Sequence, residues 1–382
     1  MGPSARGKAF LTEAFSLVEQ CQGIGGDDYY DQPVTHPMAE GKFLATAAAM
    51  ARAKLLSPQR FASICNASAA RLEASALRTQ SGLAWGLNFN WSQRNISREE
   101  PFLVTCAIIA LGLSHARNAG WKGGDDLLEG LCRALEKWPV VESAAGLVPA
   151  YSPSVSVPIV NSAALWAAAM VQTGRRGTAD AGIVAVLKLI DQCFLIGCGW
   201  RYEPSSSKID LVHGAYILRA LIQLMDGVER DDDGVQILGT FRRANGFIDA
   251  ANVVPRGKIF EQKPNGMFYI SGEFAVLPHP RRARPWSLGE ILSAISELAR
   301  RGANQNYWRA VTRSTLLLTL ESASSSQGEA GGEAPIPLLS ERTPRLRHLA
   351  HVMEGCACAL ETLRTNAGAD EVHGGEDLDI SS

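Results

Sequence analysis

A glycine, an aromatic segment, a polar loop and an amphipathic helix follow one another four times along this chain, and that recurrence limits the fold more than any other feature. The first copy reads Gly82-Leu83-Ala84-Trp85-Gly86-Leu87-Asn88-Phe89-Asn90-Trp91, with a helix opening near Pro101 and Thr105. The second reads Gly146-Leu147-Val148-Pro149-Ala150-Tyr151, before a helix opening near Asn161. The third is Gly199-Trp200-Arg201-Tyr202, before a helix from about Asp210 and His213. The fourth is Phe268-Tyr269 and then Arg284-Pro285-Trp286, before a helix from about Ser287. Counted from Thr105, Asn161, His213 and Ser287, the openings lie about 56, 52 and 74 residues apart, so the last gap has room for a degenerate unit around 245–260. Such periods mean stacked supersecondary units, each covering the apolar face of the next.

More charged helices are predicted between the copies, over 125–137, 179–194 and 232–243. The N-terminal region predicts helices over 7–22, 38–55 and 58–78, the last with Ser57 as N-cap and Pro58 at the first helical position. Inner and outer helices thus alternate, with no βαβ rhythm of a parallel sheet. The expected fold is all-α: an (α/α) toroid of repeated helical hairpins over residues 1–320, with short strands or loops on the rim. Residues 321–342, rich in Ser, Gly and Glu, read as a flexible linker. Residues 343–365 read as a further C-terminal helix, and 366–382 as a disordered acidic tail.

At 46% hydrophobic residues the 382-residue chain has ample material for a large core, and its formal net charge of −2 leaves no basic footprint for nucleic acid. No run is long and apolar enough for a membrane span. No apolar leader stands at residues 1–11. The eight cysteines lack zinc spacing and the seven histidines are scattered, so no metal and no cofactor is expected. These readings point to the cytoplasm; oligomeric state is not legible.

The repeated motifs resemble those of bacterial proteins encoded near exopolysaccharide biosynthesis loci. The first-unit signature of that family, Gly-Trp-Gly, Phe-Asp-Trp-Gln, Arg and a Thr-containing helix, is similar to Trp85-Gly86, Phe89-Asn90-Trp91, Arg94 and the stretch from Pro101 to Thr105. Its second unit matches Tyr151-Ser152-Pro153 and Asn161, its third Trp200-Arg201-Tyr202, Asp210 and His213, and its last Arg284-Pro285-Trp286-Ser287. The resemblance covers roughly residues 40–320. It implies membership of the six-hairpin glycosidase-like and terpenoid cyclase-like toroids and a carbohydrate-linked role in polysaccharide biosynthesis. The chain departs from the family at Asn90, where the family has Asp, at Gln93, displaced by one, and at Pro285, inserted between Arg284 and Trp286. A missing catalytic Asp would make this a divergent or non-catalytic member.

In such a ring the helix N-termini and the loops before them converge at one end, where helix dipoles favour anionic groups. The expected ligand is a glycan or sugar-derived small molecule, held by Trp85, Asn88, Asn90, Trp91, Arg94, Tyr151, Asn161, Trp200, Tyr202, Arg284 and Trp286. Aromatic faces suit sugar rings, and amides and guanidinium suit hydroxyls and uronates. Asp210 and His213, three apart on one helical turn, are the candidates for proton transfer in a hydrolase, lyase or epimerase. The blander reading makes Asp210 an N-cap and His213 a packing residue. Asp27, Asp28 and Asp31 form either a solvated loop or further carboxylates at the mouth. The run Glu229-Arg230-Asp231-Asp232-Asp233 is either a turn or an acidic cyclase motif, which keeps a terpenoid cyclase or prenyltransferase as an alternative. A non-catalytic scaffold or glycan-binding factor is the other.

Overall fold

Two kinds of helix alternate along the chain, and burial separates them. In the computed structural model the described residues are 2–27, 32–91, 96–195, 199–207, 211–226, 261–262, 268–269, 285–301, 309, 312–313, 315–317, 319–320, 323 and 344–364. Helices α2 (Pro37–Arg52), α4 (Leu103–Asn118), α6 (Val160–Gln172), α8 (Leu211–Asp226), α9 (Pro285–Arg301) and α10 (Leu346–Arg364) form the inner set. Helices α1 (Pro3–Gln20), α3 (Pro58–Ala74), α5 (Asp125–Glu136) and α7 (Arg176–Cys193) form the outer set. Helix α4 is buried from Leu103 through Ser114, and a helix apolar on all sides must be surrounded. Helix α5 buries only one face, through Leu127, Leu128, Leu131 and Leu135.

Each inner helix packs on the next: α2 on α4, α4 on α6, α6 on α8, α8 on α9, α9 on α10, and α10 back on α2. This closes a ring. Helices α1, α3, α5 and α7 lie against α10, α2, α4 and α6 from outside. The sequence reading ended the ring at residue 320 and set the last helix apart. In the structure Leu346–Arg364 packs on α9 and on α2, as an inner helix of the circle. The outer helix expected over 232–243, the Glu229–Asp233 run, the acidic tail and the linker apart from Ala323, which is helical and buried, lie outside the described residues.

Close approach at two crossings depends on glycine. A Cβ on Gly112 of α4 would stand 2.1 Å from the Gly41 carbonyl oxygen of α2, and one on Gly355 of α10 would stand 2.3 Å from that of Gly289 on α9. Backbone cannot yield to such contacts, so these positions admit no side chain. The start of α3 matches its local signals: Ser57 Oγ accepts from the Arg60 N–H at 3.2 Å, with Pro58 in the first turn.

Five antiparallel two-stranded hairpins precede α2, α4, α6, α8 and α9: β1–β2 (Ile24–Gly26, Pro33–Thr35), β3–β4 (Leu77–Arg78, Leu83–Ala84), β5–β6 (Val140–Ser143, Gly146–Pro149), β7–β8 (Phe194–Leu195, Gly199–Trp200) and β9–β10 (Glu261–Gln262, Phe268–Tyr269). The first four stand at the N-terminal ends of their inner helices and form the mouth of the ring. The helix starts there are capped by backbone. Leu103 N–H donates to the Tyr151 carbonyl at 3.0 Å, and Val160 N–H to the Tyr202 carbonyl at 3.1 Å. The aromatic residue of each unit thereby stitches itself onto the inner helix of the unit before, answering two of the orphan N–H groups of a helix start.

Candidate functional site

Polar residues line the bore of the ring in layers. Lys42, Tyr216, Glu290 and His351 are each the sixth residue of their helices, and Arg219 and Glu354 the ninth. His115, Gln172, Gln223 and Glu297 are the thirteenth, and Arg52, Asn118, Arg300 and Glu361 the sixteenth. Steps of three and four residues keep one face of a helix on one side. Like positions touch across the ring, which shows that the inner helices run parallel.

The sixth and ninth layers make a plug. Lys42 Nζ donates to Glu290 at 2.6 Å and to Glu354 at 2.7 Å. Arg219 donates to Glu354 at 2.5 Å, to Glu297 at 3.0 Å and to Glu290 at 3.3 Å. Burial alone would raise the Glu354 carboxyl, but Arg219 and Lys42 overcome it and hold the group at about 2. Burial would likewise strip the proton from Lys42, and Glu290 and Glu354 reverse this, raising its pKa. His351 donates its Nδ1 proton to the Arg347 carbonyl at 2.6 Å, so its Nε2 accepts from the Tyr216 hydroxyl. Burial, then the neighbouring Lys42, keeps that imidazole neutral, well below the usual histidine range. The space left beside Lys42, Tyr216 and Arg219 is about 10 Å3, at or below what one water molecule needs. The plug therefore divides the bore into a mouth and a chamber at the far end.

At the mouth, Tyr202 and His213 lie ring to ring with centroids 4.7 Å apart, both half-buried. His213 stands in the first turn of α8. On the next two helices of the ring, Trp286 of α9 stacks on His348 of α10, 3.8 Å between centroids and 9° between planes. Tyr151 is half-buried and meets Phe102 edge to face at 5.1 Å. Asn161 is buried in the first turn of α6, and among the described residues its Oδ1 has no hydrogen-bond partner; the same holds for the hydroxyls of Thr105 and Ser162.

Other residues singled out by the sequence serve the framework. Trp85 is wholly buried and gives its indole N–H to the Leu72 carbonyl at 2.8 Å, so it packs beneath the mouth and offers no face to a ligand. Trp200 is buried against Phe194. Asn88, in the left-handed region at φ 63°, donates to the Thr35 carbonyl at 2.8 Å and ties its loop to β2. Asn90 is exposed, and its Oδ1 accepts from the Arg98 N–H at 2.9 Å. Trp91 is half-buried and pairs its backbone with Ile96. Arg94, Asp210 and Arg284 lie outside the described residues, as do Asp28 and Asp31; Asp27 is buried.

Sequence reasoning missed the plug. Its signal was present: Lys42 and Glu290 are charges within largely apolar helices, each following a glycine. Among the described residues no group of three or more His, Cys, Asp or Glu is placed to hold a metal ion, and no helix is long and apolar enough to cross a membrane.

No family model and no curated protein matches the chain. Solved structures do. A glycoside hydrolase family 76 mannosidase from Bacteroides thetaiotaomicron matches with TM-score 0.61 at 12% identity, covering 94% of this chain and 100% of its own. A D-mannose isomerase matches with TM-score 0.62 at 14% identity, over 94% of this chain and 97% of its own. An inactive variant of an α-1,6-mannanase of Salegentibacter sp., solved with an α-1,6-linked mannotetraose, matches with TM-score 0.60 at 10% identity, over 94% and 100%. These neighbours are (α/α)6 toroids of the six-hairpin glycosidase-like superfamily, and the likeness establishes that fold for this chain.

Proposed function

We propose that the mouth of the toroid binds a glycan, and that His213 with Asp210 transfers protons there in a hydrolase, lyase or epimerase reaction of polysaccharide biosynthesis in the cytoplasm. The observation that carries the reading is the pair of aromatic–imidazole contacts at the rim, Tyr202 with His213 and Trp286 with His348. A flat aromatic face beside a titratable imidazole is what a site needs to stack a sugar ring and move one of its protons. Neighbours on the same fold support the choice of substrate class, since a mannosidase, a mannose isomerase and a mannotetraose-bound mannanase are among them. A terpenoid cyclase would need a greasy tunnel, whereas the bore here carries Lys42, Arg219 and glutamates.

A second reading, a glycan-binding factor without turnover, is favoured by Asn90. Its side chain holds the Arg98 backbone, and an amide is no general acid. One experiment separates the two. Mannose, α-1,6-linked mannooligosaccharides and uronic acids are screened by thermal shift on the wild-type protein and on Tyr202→Ala. Stabilisation that Tyr202→Ala abolishes supports the glycan site, and reducing-end or product assays on His213→Asn then decide catalysis. Failure of every sugar to stabilise the wild type overturns the proposal.

A further inference from the structure

Below the plug, at the C-terminal end of the inner helices, lies a chamber of about 230 Å3. Its walls are more polar than apolar: Arg52, His115, Gln172, Gln223, Glu297 and Arg300 contribute, beside the apolar surface of Ala45, Cys358 and the side-chain stems. We propose that this chamber is a binding site for a small neutral polyol, separate from the mouth and independent of the function proposed for it.

Charge selects a neutral occupant. Along the bore, Lys42, Arg52, Arg219 and Arg300 face Glu290, Glu297, Glu354 and Glu361, and every guanidinium is already engaged. Arg52 holds Glu361 through two bonds, of 2.6 Å and 3.0 Å, and Arg300 holds the same carboxylate at 3.2 Å. An anion would have to displace Glu361 from this clamp, and a cation would meet guanidinium groups. Burial, then Arg52 and Arg219, lowers His115 to about 4, so the imidazole is neutral at physiological pH.

Hydrogen-bonding capacity selects hydroxyl groups. Gln223 donates its Nε2 protons to Glu297 Oε1 and to His115 Nε2, each at 3.4 Å. Turning the amide over would set its oxygen against the Glu297 carboxylate, so the orientation is determined. Among the described residues its Oε1 is left without a partner, in a residue only 1% exposed. Arg52 and Arg300 bring donors beyond those spent on Glu361, since a guanidinium has five. A hydroxyl both donates and accepts, which suits such mixed walls. Among the described residues no Phe, Tyr or Trp lines the chamber, so it lacks the broad stacking face that a pyranose uses and suits a molecule with hydroxyls on all sides. Its volume is below the roughly 300–1,000 Å3 of drug-sized sites, which confines the occupant to a few carbons. Arg52, 35% exposed, and Arg300, 23% exposed, stand where the chamber meets solvent.

Isothermal titration of the full chain with mannitol tests the assignment, with glucuronate and inorganic phosphate as charged controls. Wild type is expected to bind mannitol in the millimolar range or tighter, at least about 4 kcal/mol of binding free energy. Ala45→Leu, which fills the chamber without altering a charge, and Gln223→Met are each expected to weaken it about tenfold or more. Tyr202→Ala at the mouth is expected to leave it unchanged. Agreement of the two chamber variants, with thermal unfolding confirming that both fold, supports the site. Absence of heat with mannitol overturns it, as does stronger binding of glucuronate or phosphate. Loss of mannitol binding in Tyr202→Ala with retention in Ala45→Leu also overturns it, by moving the ligand to the mouth. Glycan binding at the mouth is read separately, so either assignment can fail while the other stands.

Discussion

The plug and the floor of the chamber are both built from basic residues and glutamates on α2, α9 and α10, about two to three turns apart, yet they meet water differently. Lys42, Glu290, Glu354 and Arg219 are 1%, 0%, 3% and 8% exposed. Arg52 and Arg300 are 35% and 23% exposed over a Glu361 at 6%. In the plug the charges have exchanged hydration for one another, so each depends on its partners. At the floor, water competes for the same groups and the ion pairs add little. The difference explains how one ring has both a closed waist and an open end.

The largest effect is expected from breaking the plug. Lys42→Met removes the shared cation and leaves Glu290 and Glu354 to Arg219 alone, at a cost of about 3–5 kcal/mol. Urea unfolding of wild type and variant measures it. A loss below about 1 kcal/mol would mean that water reaches the plug and that the contrast with the floor does not hold. The same variant is expected to lose less stability to acid through Glu354, measured as the change in urea-unfolding free energy between about pH 7 and pH 3. Glu354, held at about 2 by Arg219 and Lys42, stabilises the fold above the ordinary carboxylate pKa, and that contribution is lost as pH falls towards 2. Without Lys42 the folded-state pKa of Glu354 rises towards that of the unfolded chain, so this pH-dependent loss is smaller and is complete at a higher pH.

His115 gives the next largest effect and belongs to the chamber. Burial, then Arg52 and Arg219, lowers it from 6.5 to about 4. Between those values the unfolded chain binds a proton that the folded chain refuses, so stability falls as pH drops from 6.5 to about 4 and is unaffected above. The full shift corresponds to at most about 3 kcal/mol. His115→Asn is expected to flatten the stability profile across that window. A profile unchanged by the substitution would show that the chamber wall is wetter than its geometry indicates.

What the sequence made legible divides along similar lines. The Ser57 and Pro58 helix start is a local matter, and it stands as read. The helices opening near Thr105, Asn161, His213 and Ser287 are announced by their glycine–aromatic preambles, and each is an inner helix of the ring. Leu346–Arg364 reads as a helix of its own because a Ser-, Gly- and Glu-rich stretch precedes it; its His348, His351, Glu354 and Glu361 make a polar stripe at helical spacing, which ordinarily faces solvent. Here the stripe faces the bore, where Tyr216, Arg219 and Arg52 wait for it. Periodicity reports which residues share a face; it does not report what that face meets. The same limit applies to Trp85, whose aromatic motif marks the repeat while its ring lies in the core.

The smallest effect is the sharpest test of the comparison. Arg52→Ala deletes a bidentate clamp on Glu361, the same kind of bond whose loss in the plug is expected to be severe. At the floor Arg300 still holds the carboxylate at 3.2 Å, and water replaces the lost guanidinium. The expected cost is therefore below about 1 kcal/mol, and it shrinks further when the ionic strength is raised to about 1 M. Urea unfolding at low and high salt measures both. A cost above about 2 kcal/mol that salt does not reduce would mean that Glu361 is left dry and unpaired, as in the plug. The chamber would then be sealed at its lower end, and no polyol could enter where Arg52 meets solvent. A small, salt-sensitive cost keeps the entrance open and leaves the plug as the element that holds the ring shut.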